Sequence, residues 1–348
     1  MRAIVMRGHG GLDVLRLEEV PDRAPGVGEA LVRVRAVAVN RLDLWVRENV
    51  GHAYTVAIPL IPGYDVAGQV VALGPDAAGS KPAGPRTGDR VYVHYDYSCG
   101  RCEFCLEGEE TLCADYRCMG VNHDGGYAEF VIAPIRNLFP LGPSTSFESA
   151  AAVGSVYLTA YHMLFARGAL RAGETVLVMA AGSGVGGAAL QLARWAGATV
   201  FATAGSADKL QRAVDEGAAT AIDYSVPGWH ERVLDASAGR GTDLIVDHTG
   251  SRYFGEAIRA LAPKGRMVLC GASSGAEVPL DLIDLFARQI SVIGSSDGTR
   301  RELLEVLRLL DAGVLDPRID TVMPLEQARA AQERLARREH YGRILLAP

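Results

Sequence analysis

Residues 176–187 read VLVMAAGSGVGG: an apolar run fit for a buried strand passes directly into a glycine-rich turn and then into AALQLARWAGA, whose apolar positions recur at helical spacing. This strand–turn–helix narrows the possible folds more than any other segment of the chain. Within it Gly182-x-Gly184-x-x-Gly187 fits the dinucleotide pattern. Glycine lets backbone approach a diphosphate, and the start of a helix offers N–H groups and the positive end of a dipole. Gly182, Ser183, Gly184, Val185 and Gly186 are therefore the expected diphosphate-binding residues. The pattern alone would also suit a tight turn that binds nothing; its place between a strand and a helix favours a ligand.

The turn belongs to a series. TVFATAG, TAIDY, DLIVDHTG, GRMVLCGA and QISVIGSS read as further strands, with helices expected over Gly186–Ala196, Ala207–Glu216 and Tyr253–Leu261. Strands alternating with helices at this spacing predict an α/β domain with a doubly wound parallel sheet. The region before it is different. AIVMR, ALVRVRAVAVN, DVAGQVVALG, DRVYVHY and GYAEFVIAP read as strands separated by Gly/Pro turns, with one short helix over Asn40–Glu48 and a Pro/Gly-rich loop at 75–88. Residues 147–168 read as one Ala-rich helix, 300–313 and 325–338 as amphipathic helices, and GRILLAP as a closing strand. A chain of 348 residues suits two domains. The expected division is a β-rich domain of residues 1–150 and 298–348 around an α/β domain of residues 151–297.

The end of the second α/β strand chooses the cofactor. An acid there would bind the ribose hydroxyls of NAD, but Ala204 stands at that position. Gly205, Ser206 and Lys209 offer room, a hydroxyl and a positive charge to a 2′-phosphate, so NADP(H) is favoured over NAD(H). The competing reading makes Lys209 a solvated helix charge and gives Asp208 to NAD.

Four of the six cysteines, Cys99, Cys102, Cys105 and Cys113, crowd into fifteen residues with the spacing C-x2-C-x2-C-x7-C. Such crowding in a reducing compartment points to metal rather than disulfides. Four thiolates close a tetrahedral zinc shell and leave no position for substrate, so one structural zinc per chain is expected, with an iron–sulfur cluster or free thiols as the alternatives. Cys118 and Cys270 read as ordinary buried residues. A net charge of −6 and the lack of any basic run argue against nucleic acid as a partner. No stretch is apolar and long enough for a membrane span, and the N-terminus has no secretory h-region, so a cytoplasmic protein is expected.

Taken together these motifs resemble the medium-chain dehydrogenase/reductase family, which includes zinc alcohol dehydrogenases and quinone oxidoreductases. The likeness covers essentially the whole chain. Pro62-Gly63-Tyr64-Asp65-x2-Gly68 resembles the family's GHE-containing loop, Gly125-Gly126-Tyr127-Ala128-Glu129 its GGYAEY entry, Thr159-Ala160-Tyr161 its TAY helix and Asp247-x2-Gly250 a later strand turn. The resemblance implies a GroES-like catalytic domain, with a zinc lobe at about residues 95–115, joined to a Rossmann domain. It also implies that Thr159 lies beside the nicotinamide, that Tyr224 flanks the adenine and that Gly271 belongs to the cofactor site. Oligomers follow from it too: in the family, strands such as QISVIGSS often pair across a dimer, so a homodimer or homotetramer is expected.

The same comparison removes the catalytic metal. The family's catalytic zinc ligands fall on Asn40, Tyr64 and Ser155, and its proton-relay hydroxyl on Leu42. Asn, Tyr and Ser are poor substitutes for Cys and His at zinc. Asn40-x2-Asp43 looks like the quinone oxidoreductase branch, while the cysteine lobe belongs to the alcohol dehydrogenases, so the chain is a hybrid of two patterns. Without a Lewis acid, alcohol oxidation loses the device that stabilises the alkoxide. A quinone or α,β-unsaturated carbonyl spreads the charge over its own π system and needs orientation, a hydrogen bond to oxygen and a proton. Asn40, Tyr64 and Tyr95 are the candidate donors, with Trp45 a candidate pocket wall. Asp43 and Asp65 read as structural charges that could pair with Arg41, and His94, His123, His162 and His248 as structural or surface residues. The expected reaction is NAD(P)H-dependent reduction of a small-molecule quinone or carbonyl. The alternatives are an alcohol or aldehyde dehydrogenase and a non-catalytic dinucleotide-binding protein.

Overall fold

Along Glu29–Val39 the sequence EALVRVRAVAV alternates, burying Ala30, Val32 and Val34 and turning Arg33 and Arg35 outward; from Ala36 onward every side chain is buried. The change of pattern marks the middle of a sheet. In the computed structural model, which describes residues 1–50, 55–75 and 84–348, this strand pairs antiparallel with Asp65–Leu73 on one side and with Arg343–Ala347 and Phe130–Pro134 on the other. The sheet continues to Arg90–Val93 and Leu138–Pro140 at one edge and to Ile319–Pro324 at the other. Its core gathers Val32, Val37, Val66, Val91, Tyr95 and Tyr127 with Ile344 and Leu346 from the returning chain.

The chain divides into two units, Met1–Gly154 with Leu303–Pro348, and Ser155–Glu302. The second is built on a six-stranded sheet in the order Thr220–Asp223, Thr199–Ala204, Thr175–Val178, Thr242–Asp247, Leu261–Leu269, Ser291–Gly294, and every pairing in it is parallel. The first strand in sequence, Thr175–Val178, lies inside the sheet. Successive strands are added on one side of it and then on the other, so the order reverses between Thr175–Val178 and Thr242–Asp247. The helices Trp229–Ala236 and Ser251–Arg259 bring Trp229, Val233, Tyr253, Phe254 and Ala257 onto Leu177, Phe201, Ile222 and Ile245.

Three segments depart from the sequence reading. Residues 147–168 are not one helix: Phe147–Tyr161 is kinked at Gly154 and continues as a π-turn over His162–Arg167. The kink has a packing cause, because a Cβ at Gly154 would stand 2.2 Å from the carboxylate of buried Asp65. The helix expected from Asn40 begins at Arg41, since Asn40 is extended and Asp43 reaches back to its N–H at 2.8 Å. The helix of the glycine-rich turn starts two residues earlier than expected, at Gly184. Of the Pro/Gly loop at 75–88, residues 76–83 lie outside the described residues. No helix among the described residues is long and apolar enough to cross a membrane.

Candidate functional site

The cysteine loop leaves the short strand Asp96–Tyr97, makes the helix Glu103–Glu107 and returns through Arg117–Cys118, which pairs with Asp96–Tyr97. This path brings Cys99, Cys102, Cys105 and Cys113 together, with all four sulfurs within 4.8 Å of one another. A tetrahedral zinc with bonds of about 2.3 Å spaces its sulfurs about 3.8 Å apart, and Cys99 and Cys105 stand at 3.9 Å. The N–H groups of Arg101 and Cys102 donate to Cys99 Sγ and pull its thiol down to about 6, so it is a thiolate at neutral pH. The donor set therefore fits zinc. Among the described residues no other group of three or more His, Cys, Asp or Glu side chains converges in this way.

In the first unit the residues around Asn40 form a buried polar cluster. Asp65 is 0% exposed. One of its oxygens accepts from Arg343 at 2.7 Å and from the Asn40 amide at 3.0 Å, and the other accepts from the Tyr92 hydroxyl at 3.1 Å. A second nitrogen of Arg343 donates to Asn40 Oδ1 at 2.9 Å, and the Asn40 amide also donates to the Ala38 carbonyl at 3.3 Å. Both amide hydrogens and the amide oxygen of Asn40 are thus engaged. Asp43, beside it, accepts the Tyr127 hydroxyl at 2.9 Å; burial pushes its carboxyl up to about 7. The expected pairing of Asp43 and Asp65 with Arg41 is not what forms. Asp65 pairs with Arg343, while Arg41 reaches the Leu335 carbonyl at 3.5 Å. Tyr64 and Tyr95 meet edge to face, 5.0 Å between ring centroids. Tyr95 is only 1% exposed and packs in the domain core. Trp45 lies half-buried on the helix Arg41–Glu48.

In the second unit, Ser183 caps the helix Gly184–Trp195, its hydroxyl accepting the Gly186 N–H at 3.0 Å. The N–H groups of Gly184 and Val185, in the first turn, have no intrahelical acceptor by position. A Cβ at Gly186 would stand 2.3 Å from the Ala180 carbonyl, whereas one at Gly187 would meet its nearest neighbour at 3.5 Å. The glycine that admits close helix–strand packing is Gly186, one residue before the Gly187 of the literal pattern. Ala180, two residues past the strand Thr175–Val178, takes φ +50°, a conformation that costs a non-glycine residue about 1 kcal/mol and that recurs at functional turns.

Ala204 ends its strand opposite Asp223. The Asp223 carboxylate is occupied by the Ser225 N–H and hydroxyl at 2.8 and 2.6 Å. Asp208 is paired with Arg212 at 3.1 Å. Ser206 caps the helix Ala207–Asp215 by accepting the Lys209 N–H. Tyr224 packs on Tyr253 at 4.3 Å and borders Gly205. Thr159 is buried on the kinked helix, and Gly271 lies two residues past the strand Leu261–Leu269.

The structure thus gathers Asn40 into one cluster, Tyr64 and Tyr95 into a second group, and the four cysteines into a third; the cofactor candidates of the glycine-rich turn, Ala204, Ser206, Tyr224 and Gly271 follow strand ends of the parallel sheet, while Thr159 and Lys209 lie on helices. Arg343 and Tyr92 were missed. Both lie in strands and carry no local motif, and only their pairing with Asp65 reveals them. His248, read as a structural residue, reaches Ser183 at 2.8 Å.

A β-rich unit with a four-cysteine cluster, joined in one chain to a parallel doubly wound unit with a glycine-rich first turn, defines a two-domain nucleotide-binding protein of the dehydrogenase type. Residues 26–143 match the family model described as alcohol dehydrogenase GroES-like domain, and residues 184–312 the one described as zinc-binding dehydrogenase. The chain belongs to the medium-chain dehydrogenase/reductase family of oxidoreductases. It is 33% identical to an NAD-dependent alcohol dehydrogenase of Sulfolobus acidocaldarius, over 99% of each chain. It is 29% identical to a quinone oxidoreductase of Rattus norvegicus, over 96% of this chain and 93% of that one. Among solved structures it is similar to an NAD-dependent alcohol dehydrogenase, with 42% identity, full coverage of both chains and a TM-score of 0.94.

Proposed function

We propose that the protein is an NADPH-dependent reductase of quinones or α,β-unsaturated carbonyls whose zinc is confined to the cysteine cage. The observation that carries this reading is the Asn40–Asp65–Arg343 cluster. The acid beside the family's metal position already has its charge matched by a guanidinium and its oxygens filled by Asn40 and Tyr92. With Asn40, Tyr64 and Ser155 at the ligand positions, no thiolate or imidazole is offered to a second ion there. A bound nicotinamide supplies the hydride. The Gly184 and Val185 N–H groups hold the diphosphate and Tyr224 flanks the adenine. Asn40 orients the loop that carries it rather than donating to substrate, and Tyr64 supplies the hydrogen bond to the reduced oxygen. The preference for NADP(H) rests on Ala204 and on the engagement of Asp208 and Asp223 elsewhere.

The names of the relatives favour a second reading, an NAD-dependent alcohol dehydrogenase. One preparation separates them. NADPH and NADH oxidation is followed against quinones, enones and aldehydes, with zinc measured in the same sample. The first reading expects about one zinc per chain and turnover of conjugated acceptors with NADPH. Two zincs per chain, with alcohol oxidation lost on chelation, would establish the second. The quaternary state is proposed as a homodimer or a homotetramer, paired through the outer edge of the strand Ser291–Gly294.

A further inference from the structure

His248 connects two ends of the dinucleotide crevice. Its Nε2 lies 2.8 Å from Ser183 Oγ, and the same oxygen accepts the Gly186 N–H. A single hydroxyl therefore ties the first turn of the helix to an imidazole carried by another strand. Ser183 follows the strand Thr175–Val178 and His248 follows Thr242–Asp247, the two neighbours between which the strand order reverses. In doubly wound sheets the ligand lies across that reversal.

The backbone that carries the imidazole is itself fixed. The Asp247 carboxylate accepts the Thr249 N–H at 2.7 Å and its hydroxyl at 2.5 Å. Ser273 donates to the His248 carbonyl at 3.3 Å, and a Cβ at Gly271 would stand 3.0 Å from the same carbonyl. On the other side glycines flank Ser183, and the turn around it is held by the Ser183 N–H donating to the Ala180 carbonyl at 3.0 Å and the Ala181 N–H to the Thr203 carbonyl at 2.9 Å. A serine hydroxyl has three staggered positions, and the Gly186 N–H and the His248 imidazole together hold it in one.

We propose that His248 is a positioning residue for the dinucleotide: through Ser183 it sets the glycine-rich turn in the form that presents the Gly184 and Val185 N–H groups to the diphosphate. The proposal rests on the dinucleotide-binding reading above. Without the imidazole the turn populates other forms, and the apparent affinity falls with the competent fraction.

The test uses the full chain and measures ADP-ribose and adenosine by displacement of the fluorescent reduced cofactor. His248→Ala weakens ADP-ribose about tenfold and leaves adenosine, which lacks the diphosphate, within about twofold. His248→Gln, whose side-chain nitrogen can still reach Ser183, stays within about threefold of the parent protein. Ser183→Ala, which also loses the cap on the Gly186 N–H, costs at least as much as His248→Ala, and the double variant loses no more than Ser183→Ala alone, because His248 acts only through that hydroxyl. Wild-type affinity in His248→Ala, multiplying losses in the double variant, or an equal loss of adenosine would each overturn the proposal. If His248→Ala does not fold, His248→Gln and Ser183→Ala decide: a tenfold loss only in the latter supports it, and equal effects defeat it. A parent protein that binds neither NADPH, NADH nor ADP-ribose refutes the dinucleotide reading itself, a distinguishable result.

Discussion

Asp65 and Arg343 form a charge pair with both side chains almost wholly out of water, 2.7 Å apart. Removing one partner from such a pair strands the other, which costs about 3–5 kcal/mol, while replacing both with neutral groups of similar size costs far less. Arg343→Met should therefore lower unfolding free energy by about that amount in urea titration. Asp65→Asn with Arg343→Met should recover most of it; a double variant as unstable as the single one would show that the charges are not the point. The sequence shows Asp65 in a recognisable loop, but its partner is 278 residues away. GRILLAP announces a strand, and nothing local says that its first arginine faces an acid. The assignment to Arg41 followed nearness in sequence, and the sheet pairing of Val39 with Ile344 brings Arg343 in instead.

At the scale of elements, the glycine-rich turn was legible because its residues are contiguous. Strand, turn and helix each show their own period, and the order of the elements excludes most other folds. What the pattern does not tell is which glycine bears the packing. Gly186→Ala would set a methyl 2.3 Å from the Ala180 carbonyl, whereas Gly187→Ala meets only ordinary contact at 3.5 Å. Gly186→Ala is expected to destabilise the domain by about 2–3 kcal/mol, as overpacking does, and to weaken the reduced cofactor. Gly187→Ala, inside the helix, should raise stability by up to about 1 kcal/mol. Thermal unfolding of the two variants checks this, and equal melting temperatures would contradict the packing argument. The kink at Gly154 was not legible, since its cause is a carboxylate from another strand. The cysteine cage was legible, since spacing alone places thiols around one ion.

At the scale of the whole molecule the fold class, a β-rich domain and a parallel-sheet domain, was legible because strand and helix patterns change character along the chain. The proposed association starts from what the sheet leaves uncovered. The strand Ser291–Gly294 has one neighbour among the described residues, and an open edge is a template for a second chain. On the preceding helix Leu282, Ile283 and Phe286 are exposed at 65, 69 and 68%, a cluster of apolar side chains that a solitary subunit would not keep. If the proposed dimer forms through this edge, Phe286→Lys is expected to leave a monomer in light scattering after size exclusion; an unchanged mass would place the interface elsewhere.

The strand Arg343–Ala347 sits between Ile319–Pro324 and Glu29–Val39. A ribosome releases Glu29–Val39 and Asp65 long before it makes the arginine that neutralises the acid. During synthesis the earlier unit must wait, with a hollow in its sheet and a bare carboxylate, while the nucleotide-binding unit completes itself. The nascent polypeptide is therefore most vulnerable to chaperones and proteases in that interval, and cuts or stalls upstream of Arg343 release a molecule with one finished half and one that cannot close.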